Sequence, residues 1–166
     1  MAWGTWALVI VTSIFIGWQI RASQKASSLQ LFVQLTHKFE EPSMRHLRKE
    51  FAALLHSSLV NTNLKVDPIH DETVLAFFEN LAYFTHHGFL DVKIVWNYFV
   101  DDVCGYWNAA KPHIIAMRKN INDEELYIEM QWLNDGLTNL DAKRSKGKIW
   151  SQDKIRRYLE AEINLI

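Results

Sequence analysis

The chain holds one cysteine, three prolines and six glycines, and each scarcity excludes something. With Cys104 alone, no internal disulfide framework can form, which fits a reducing compartment. Its neighbours Val103 and Gly105 supply no base, so the thiol reads as structural and not as a nucleophile. So few turn formers disfavour a β-rich protein. The seven histidines form no His-Glu-x-x-His, and no Glu-x-x-His pair occurs, which removes the zinc-protease and di-iron carboxylate patterns. Glycine-rich phosphate loops, Gly-x-Ser-x-Gly and a Cys–His nucleophile arrangement are missing too. His86 and His87 are adjacent and should face different directions on a helix. His37 with Glu41, and His46 with Glu50, read as surface pairs, and Asp101-Asp102 as solvated acids. No catalytic, cofactor or metal site is expected, and the chain is not expected to be an enzyme.

The absence that organises the rest is of charge. From Ala2 to Ile20 there is no Asp, Glu, Lys or Arg. A helix of about 19 residues at roughly 1.5 Å each nearly matches the hydrocarbon core of a bilayer. Trp3 and Trp6 stand at one end and Trp18 at the other, where indoles favour the headgroup zone. Residues 1–21 are therefore expected to be a single transmembrane anchor, with a buried core helix as the competing reading. A cleaved signal peptide would need a basic start and a small-residue cleavage site, and neither is clear. Gly4, Ala7, Thr12, Ser13 and Gly17 are small enough to admit a neighbouring helix closely. Arg21 and Lys25 follow the apolar run, so the positive-inside bias puts residues 22–166 in the cytoplasm with the N-terminus outside.

What is there in quantity is apolar: 49% hydrophobic and 13% aromatic, too rich for disorder and enough for one ordinary domain. The net charge of −1 is unevenly spread. Residues 21–66 carry +4, residues 67–105 carry −6, residues 106–142 carry −3 and residues 143–166 carry +4. The basic juxtamembrane end suits anionic lipid headgroups and the acidic middle would point away from them; ordinary solvated helix faces are the plainer reading.

The pattern is helical throughout, with about five helices after the first. Leu29, Phe32, Val33 and Thr36 share a stripe, so the first helix should run to about Glu40 and stop before Pro42. A second helix puts Met44, Leu47, Phe51, Leu54 and Leu55 inward and Arg45, Arg48 and Lys49 outward. Ser57 to Pro68 reads as a loop. A third helix, from about Asp71 to His87, buries Val74, Leu75, Phe78, Leu81, Ala82 and Tyr83 or Phe84, with Gly88 as its left-handed cap. Asp91 caps a fourth, burying Ile94, Val95, Tyr98, Phe99, Val103 and Trp107, with a kink or break at Pro112. Asn122 should cap a fifth helix, with Glu125 at the capping-box position, carrying Leu126, Ile128 or Glu129, Trp132 and Leu133 and ending near Leu140. Ser151 should cap a last one bearing Ile155, Tyr158, Leu159 and Ile163.

Phe78-Glu79-x-Leu81-Ala82, Gly88-Phe89-Leu90-Asp91, Val95-x-x-x-Phe99, Trp107, Ile114-x-x-x-Arg118, Tyr127 and Trp132-Leu133 resemble one uncharacterised family. Its members are mainly bacterial or phage proteins, often with an N-terminal membrane helix before a helical domain of unknown function. The resemblance spans roughly Phe32 to Leu140 and implies the same architecture, but it brings no activity and no site. Glu79 shares a face with Leu75, Phe78 and Ala82 and so needs a partner at the core's edge. Arg118, with its planar fork, is the expected one. Lys143, Arg144, Lys146 and Lys148 form a basic surface suited to lipid headgroups or an acidic neighbour. Nucleic acid is not expected, because the whole is slightly acidic. The expected role is a non-catalytic accessory subunit of a larger membrane complex, contacting other membrane subunits and the bilayer through Trp3, Gly4, Trp6, Ala7, Gly17 and Trp18. The alternative is a membrane-tethered signalling or phage- and stress-related regulator that self-associates through residues 22–40.

Overall fold

A computed structural model describes residues 2–60, 68–145 and 150–165, with the side chains of 2–17, 20, 60, 68–71, 144 and 145 outside the description. Among the described residues there are six helices and no strand: α1 (Ala2–Glu40), α2 (Pro42–Val60), α3 (Pro68–His86), α4 (Val92–Ile121), α5 (Ile128–Ser145) and α6 (Gln152–Ile163). The chain groups into two compact units, Met1–Thr36 and His37–Ile166. Residues 22–36, expected to belong with the domain, thus group with the N-terminal segment.

In the first unit, Trp18, Leu29 and Val33 are 67%, 61% and 57% exposed. Among the described residues no helix is long and apolar enough to cross a membrane. The expected span, with Trp3, Gly4, Trp6, Ala7 and Gly17, lies outside the described side chains.

In the second unit α4 is the central column, packing against α2 and α6 on one side and α3 and α5 on the other. Its buried residues Val95, Phe99, Val103, Tyr106, Ala110 and Ile114 recur every three or four positions, as a helix facing a core must. The last turn of α1 delivers Phe39 into an aromatic cluster, with ring centroids 5.1 Å from Phe77, 5.8 Å from Phe78 and 5.3 Å from Phe99. Phe51 stacks on Tyr106 at 5.8 Å, extending the cluster under α2.

Several expectations are corrected. Ile94 and Tyr98, expected inside, are exposed, as is Tyr83. The helix does not break at Pro112: α4 continues to Ile121. A mid-helix proline costs about 3 kcal/mol. Ala109, Ala110 and Ile114, buried on either side of it, hold the helix in place while the ring itself is exposed. Both ends of the loop expected over 57–68 are helical: α2 runs to Val60 and Pro68 opens α3, where its fixed φ and missing N–H suit a first turn; residues 61–67 lie outside the described residues.

Two caps match the expected pattern. Asp91 accepts the Lys93 N–H, and Ser151 accepts the Lys154 N–H. Gly88 takes φ +74 after α3 while the Phe89 and Leu90 N–H groups both return to the Phe84 carbonyl. Asn122 behaves differently from expectation. It adopts φ 54 and ends α4, its N–H bonding Arg118 O, so it cannot start α5. That helix begins six residues later, at Ile128, after Tyr127 at φ 57.

Candidate functional site

Three groups of polar side chains stand out in the 37–166 unit. The first is buried. Arg48 sits on α2 at Met44+4 and Phe51−3, so the helical period carries it into the core, where it is only 3% exposed. It was expected on the outer face. Its Nε and Nη2 donate to Glu162 of α6 at 2.9 and 2.8 Å, a bidentate pair, and Nη1 donates to the Phe39 carbonyl at 3.2 Å. The guanidinium lies 3.6 Å above the Phe39 ring. The Tyr106 hydroxyl, from α4, donates to Glu162 Oε2 at 2.8 Å and also lies 3.1 Å from the Arg48 carbonyl. Tyr158 donates to Asp102 at 3.0 Å, and Asp102 is 4.0 Å from Arg48 Nη2.

This cluster holds one guanidinium against two carboxylates. Burial works against the Arg48 charge, but the hydrogen bond and charge of Glu162 outweigh it and hold the guanidinium more firmly protonated than usual. Asp102, with the arginine already committed to Glu162, is pushed up to about 7 by burial, despite the attraction of Arg48. Burial also pushes both tyrosine hydroxyls well above their ordinary range, so they remain donors. Gly105 is required here, because a Cβ at that position would stand 2.5 Å from the Tyr158 ring. Around the rim, Lys154 reaches Asp101 at 3.5 Å and lies 3.7 Å over the Trp150 ring. Cys104 is buried, 3.8 Å from the Thr138 hydroxyl, and burial pushes its thiol up to about 11, consistent with a structural role.

The second group fastens the start of α5. The Glu79 carboxylate accepts the N–H groups of Glu129 and Met130 at 3.1 and 2.7 Å, so α3 caps α5 in place of any local residue. Arg118 donates to the Leu126 carbonyl at 2.9 Å and to Gln131 Oε1 at 3.0 Å. The direct Glu79–Arg118 pair expected from sequence is therefore replaced by two separate attachments to one turn. Glu79 takes two backbone N–H groups at the start of α5, and Arg118 takes the Leu126 carbonyl and the Gln131 side chain, while the Arg118 charge still acts on Glu79 from a distance. Burial raises the Glu79 carboxyl above its ordinary value, against the lowering effect of the two backbone bonds.

The third group lies at the surface, with both histidines exposed and Glu129 half-buried. His86 ends α3 and His87 lies beyond it, so the two rings are not spread by a helical turn as expected. The His86 ring stacks on Trp132 at 4.1 Å, and its Nδ1 is 2.7 Å from Glu129 Oε2. The His87 ring stacks on Tyr83 at 4.1 Å with Nδ1 3.0 Å from the Tyr83 carbonyl. One donor atom each of His86, His87 and Glu129 lie within 4.8 Å of one another.

Of the basic surface, Lys143 is exposed, while the side chains of Arg144, Lys146 and Lys148 lie outside the described residues. Asp102, expected to be solvated beside Asp101, is instead half-buried and accepts from Tyr158, at Val95+7 and Phe99+3 on the buried face of α4; Glu162, not among the expected residues, is at Leu159+3 and Ile155+7, on the buried stripe of α6. A domain of unknown function (DUF4760) matches residues 4–137. No curated protein and no solved structure matches the chain.

Proposed function

The chain belongs to the DUF4760 family, and from that premise we propose that it is a membrane-associated, non-catalytic accessory subunit. In this reading residues 1–21 sit in the bilayer of a bacterial inner membrane, with the N-terminus outside. The 37–166 unit is then a cytoplasmic body that docks other membrane subunits. The observation that carries the reading is the N-terminal helical segment, charge-free from Ala2 to Ile20 and followed on the same helix by exposed Leu29 and Val33. Large apolar side chains left in water on a helix are suited to a second helix or to lipid. The buried Arg48–Glu162 network supports a non-catalytic body. Each of the three nitrogens of Arg48 has a partner inside the protein, and the two nearby tyrosines keep their protons.

Self-association is the second reading, favoured by Leu29 and Val33, which stand at i, i+4 on one exposed face. Purification of the full chain in mild detergent, followed by native mass spectrometry, decides between them. Stoichiometric recovery with unrelated membrane subunits supports the accessory role, and recovery of copies of itself alone supports self-association. A monodisperse, fully soluble chain in detergent-free buffer refutes both.

A further inference from the structure

We propose that His86, His87 and Glu129 bind a divalent transition-metal ion of the zinc class, joining the end of α3 to the first turn of α5. Three observations carry this. The donor atoms already lie within 4.8 Å of one another. Tetrahedral zinc, with Zn–N and Zn–O bonds of about 2.0–2.2 Å, places neighbouring donors roughly 3.3–3.5 Å apart, so closing on the ion needs a shift on the order of 1 Å. The two exposed histidines, at a helix end, can make that shift around the half-buried Glu129 without disturbing the core. Second, both imidazoles are held in place, His86 against Trp132 and His87 against Tyr83, each with ring centroids 4.1 Å apart. Metal-ligating histidines characteristically have one ring nitrogen fixed by a carbonyl or carboxylate, and the Tyr83 carbonyl does this for Nδ1 of His87. Third, Glu129 is fixed from behind, because its backbone N–H is bonded by Glu79.

Two imidazoles and one carboxylate leave a fourth position open to water or to a donor from a partner, as in zinc sites that are not fully enclosed by protein. Among borderline divalent ions the same donors would hold Cu2+ at least as tightly, so the class is set by ligand type and not by a single element. The short turn around Gly88 then acquires a second fastening to α5, independent of the Glu79 cap.

The test is calorimetric titration of the full chain in mild detergent with Zn2+, together with the visible spectrum of the Co2+ form. One equivalent should bind, and the cobalt form should show the intense bands of a four- or five-coordinate ion. His86→Ala, His87→Ala and Glu129→Gln should each weaken binding at least tenfold, whereas His46→Ala, at a site with a single carboxylate neighbour, should leave it unchanged. Glu129→Gln retains the backbone N–H that Glu79 accepts, so an intact circular dichroism spectrum keeps that variant interpretable. Absence of binding by the parent chain, or equal binding by parent and all three variants, overturns the proposal.

Discussion

Replacing Asp102 by asparagine should make the protein more stable at pH 8 and leave it nearly unchanged near pH 4. The carboxyl is pushed up to about 7, from an ordinary 3.8, by a burial that Arg48 only partly offsets. Its charge is therefore disfavoured in the folded chain relative to the unfolded one. For an acid whose folded pKa is raised, the folded state binds more protons than the unfolded state between the two values. Stability is then greatest below about 3.8 and declines as pH rises toward 7. At 1.36 kcal/mol per unit the gap amounts to ~4 kcal/mol, lost progressively and fully gone above the folded pKa. Asparagine copies the protonated form: similar volume, an oxygen to accept from the Tyr158 hydroxyl, and no charge competing with Glu162 for Arg48. Urea unfolding of parent and variant, followed by tryptophan fluorescence in the same detergent at pH 4 to 8.5, isolates this group. Groups common to parent and variant cancel in the difference. That difference should grow to as much as ~4 kcal/mol in favour of the variant by pH 8. A difference that stays flat with pH, or one that favours the parent at pH 8, refutes the account of one guanidinium shared unequally between two carboxylates.

Other changes probe the same packing. Arg48→Ala leaves Glu162 buried and unpaired and should cost about 3–5 kcal/mol, whereas Arg48→Met with Glu162→Met should cost far less than the single change; a double-mutant cycle in urea measures both. Gly105→Ala should lower stability by about 1–3 kcal/mol because its methyl meets the Tyr158 ring, with the penalty shrinking in a Tyr158→Ala background. Glu79→Ala frees the N–H groups of Glu129 and Met130, costing about 1–2 kcal/mol and speeding hydrogen exchange at those two amides while the core of α4 stays protected.

The helices were legible in the sequence wherever an apolar period was left uninterrupted. Phe51, Phe78 and Leu159 lie on stripes that only one helical register can satisfy, and Asp91, Ser151 and Gly88 mark ends that local chemistry alone decides. The junction between α4 and α5 was not legible, for a specific reason. Asn122 carries the two properties of a start and a stop: a short acceptor for an N-cap, and tolerance of φ 54 for a C-cap. The choice falls to the residue that supplies the cap for α5, and that residue is Glu79, 50 positions away in the chain. No local reading of residues 122–128 contains it.

Arg48 teaches the converse. Its position on the buried stripe, between Met44 and Phe51, was visible, and its charge argued it outward. A charge enters a core only when a partner of opposite sign waits there with matched geometry. The partner, Glu162, lies 114 residues downstream on a helix whose own stripe also carries it inward. Two charged residues that each fall on an apolar face are thus better read together than separately: each alone is an anomaly, and the pair is a contact that draws α2 to α6. Asp102 shows the limit of that rule, since it is at the edge of the same cluster with the arginine already taken, and burial pushes its carboxyl up to about 7. The third carboxylate-bearing cluster follows a different logic. His86, His87 and Glu129 converge because Gly88 ends α3 one residue early and the Glu79 cap fixes where α5 begins. Their proximity is a consequence of two helix termini meeting, which residue spacing along the chain does not encode.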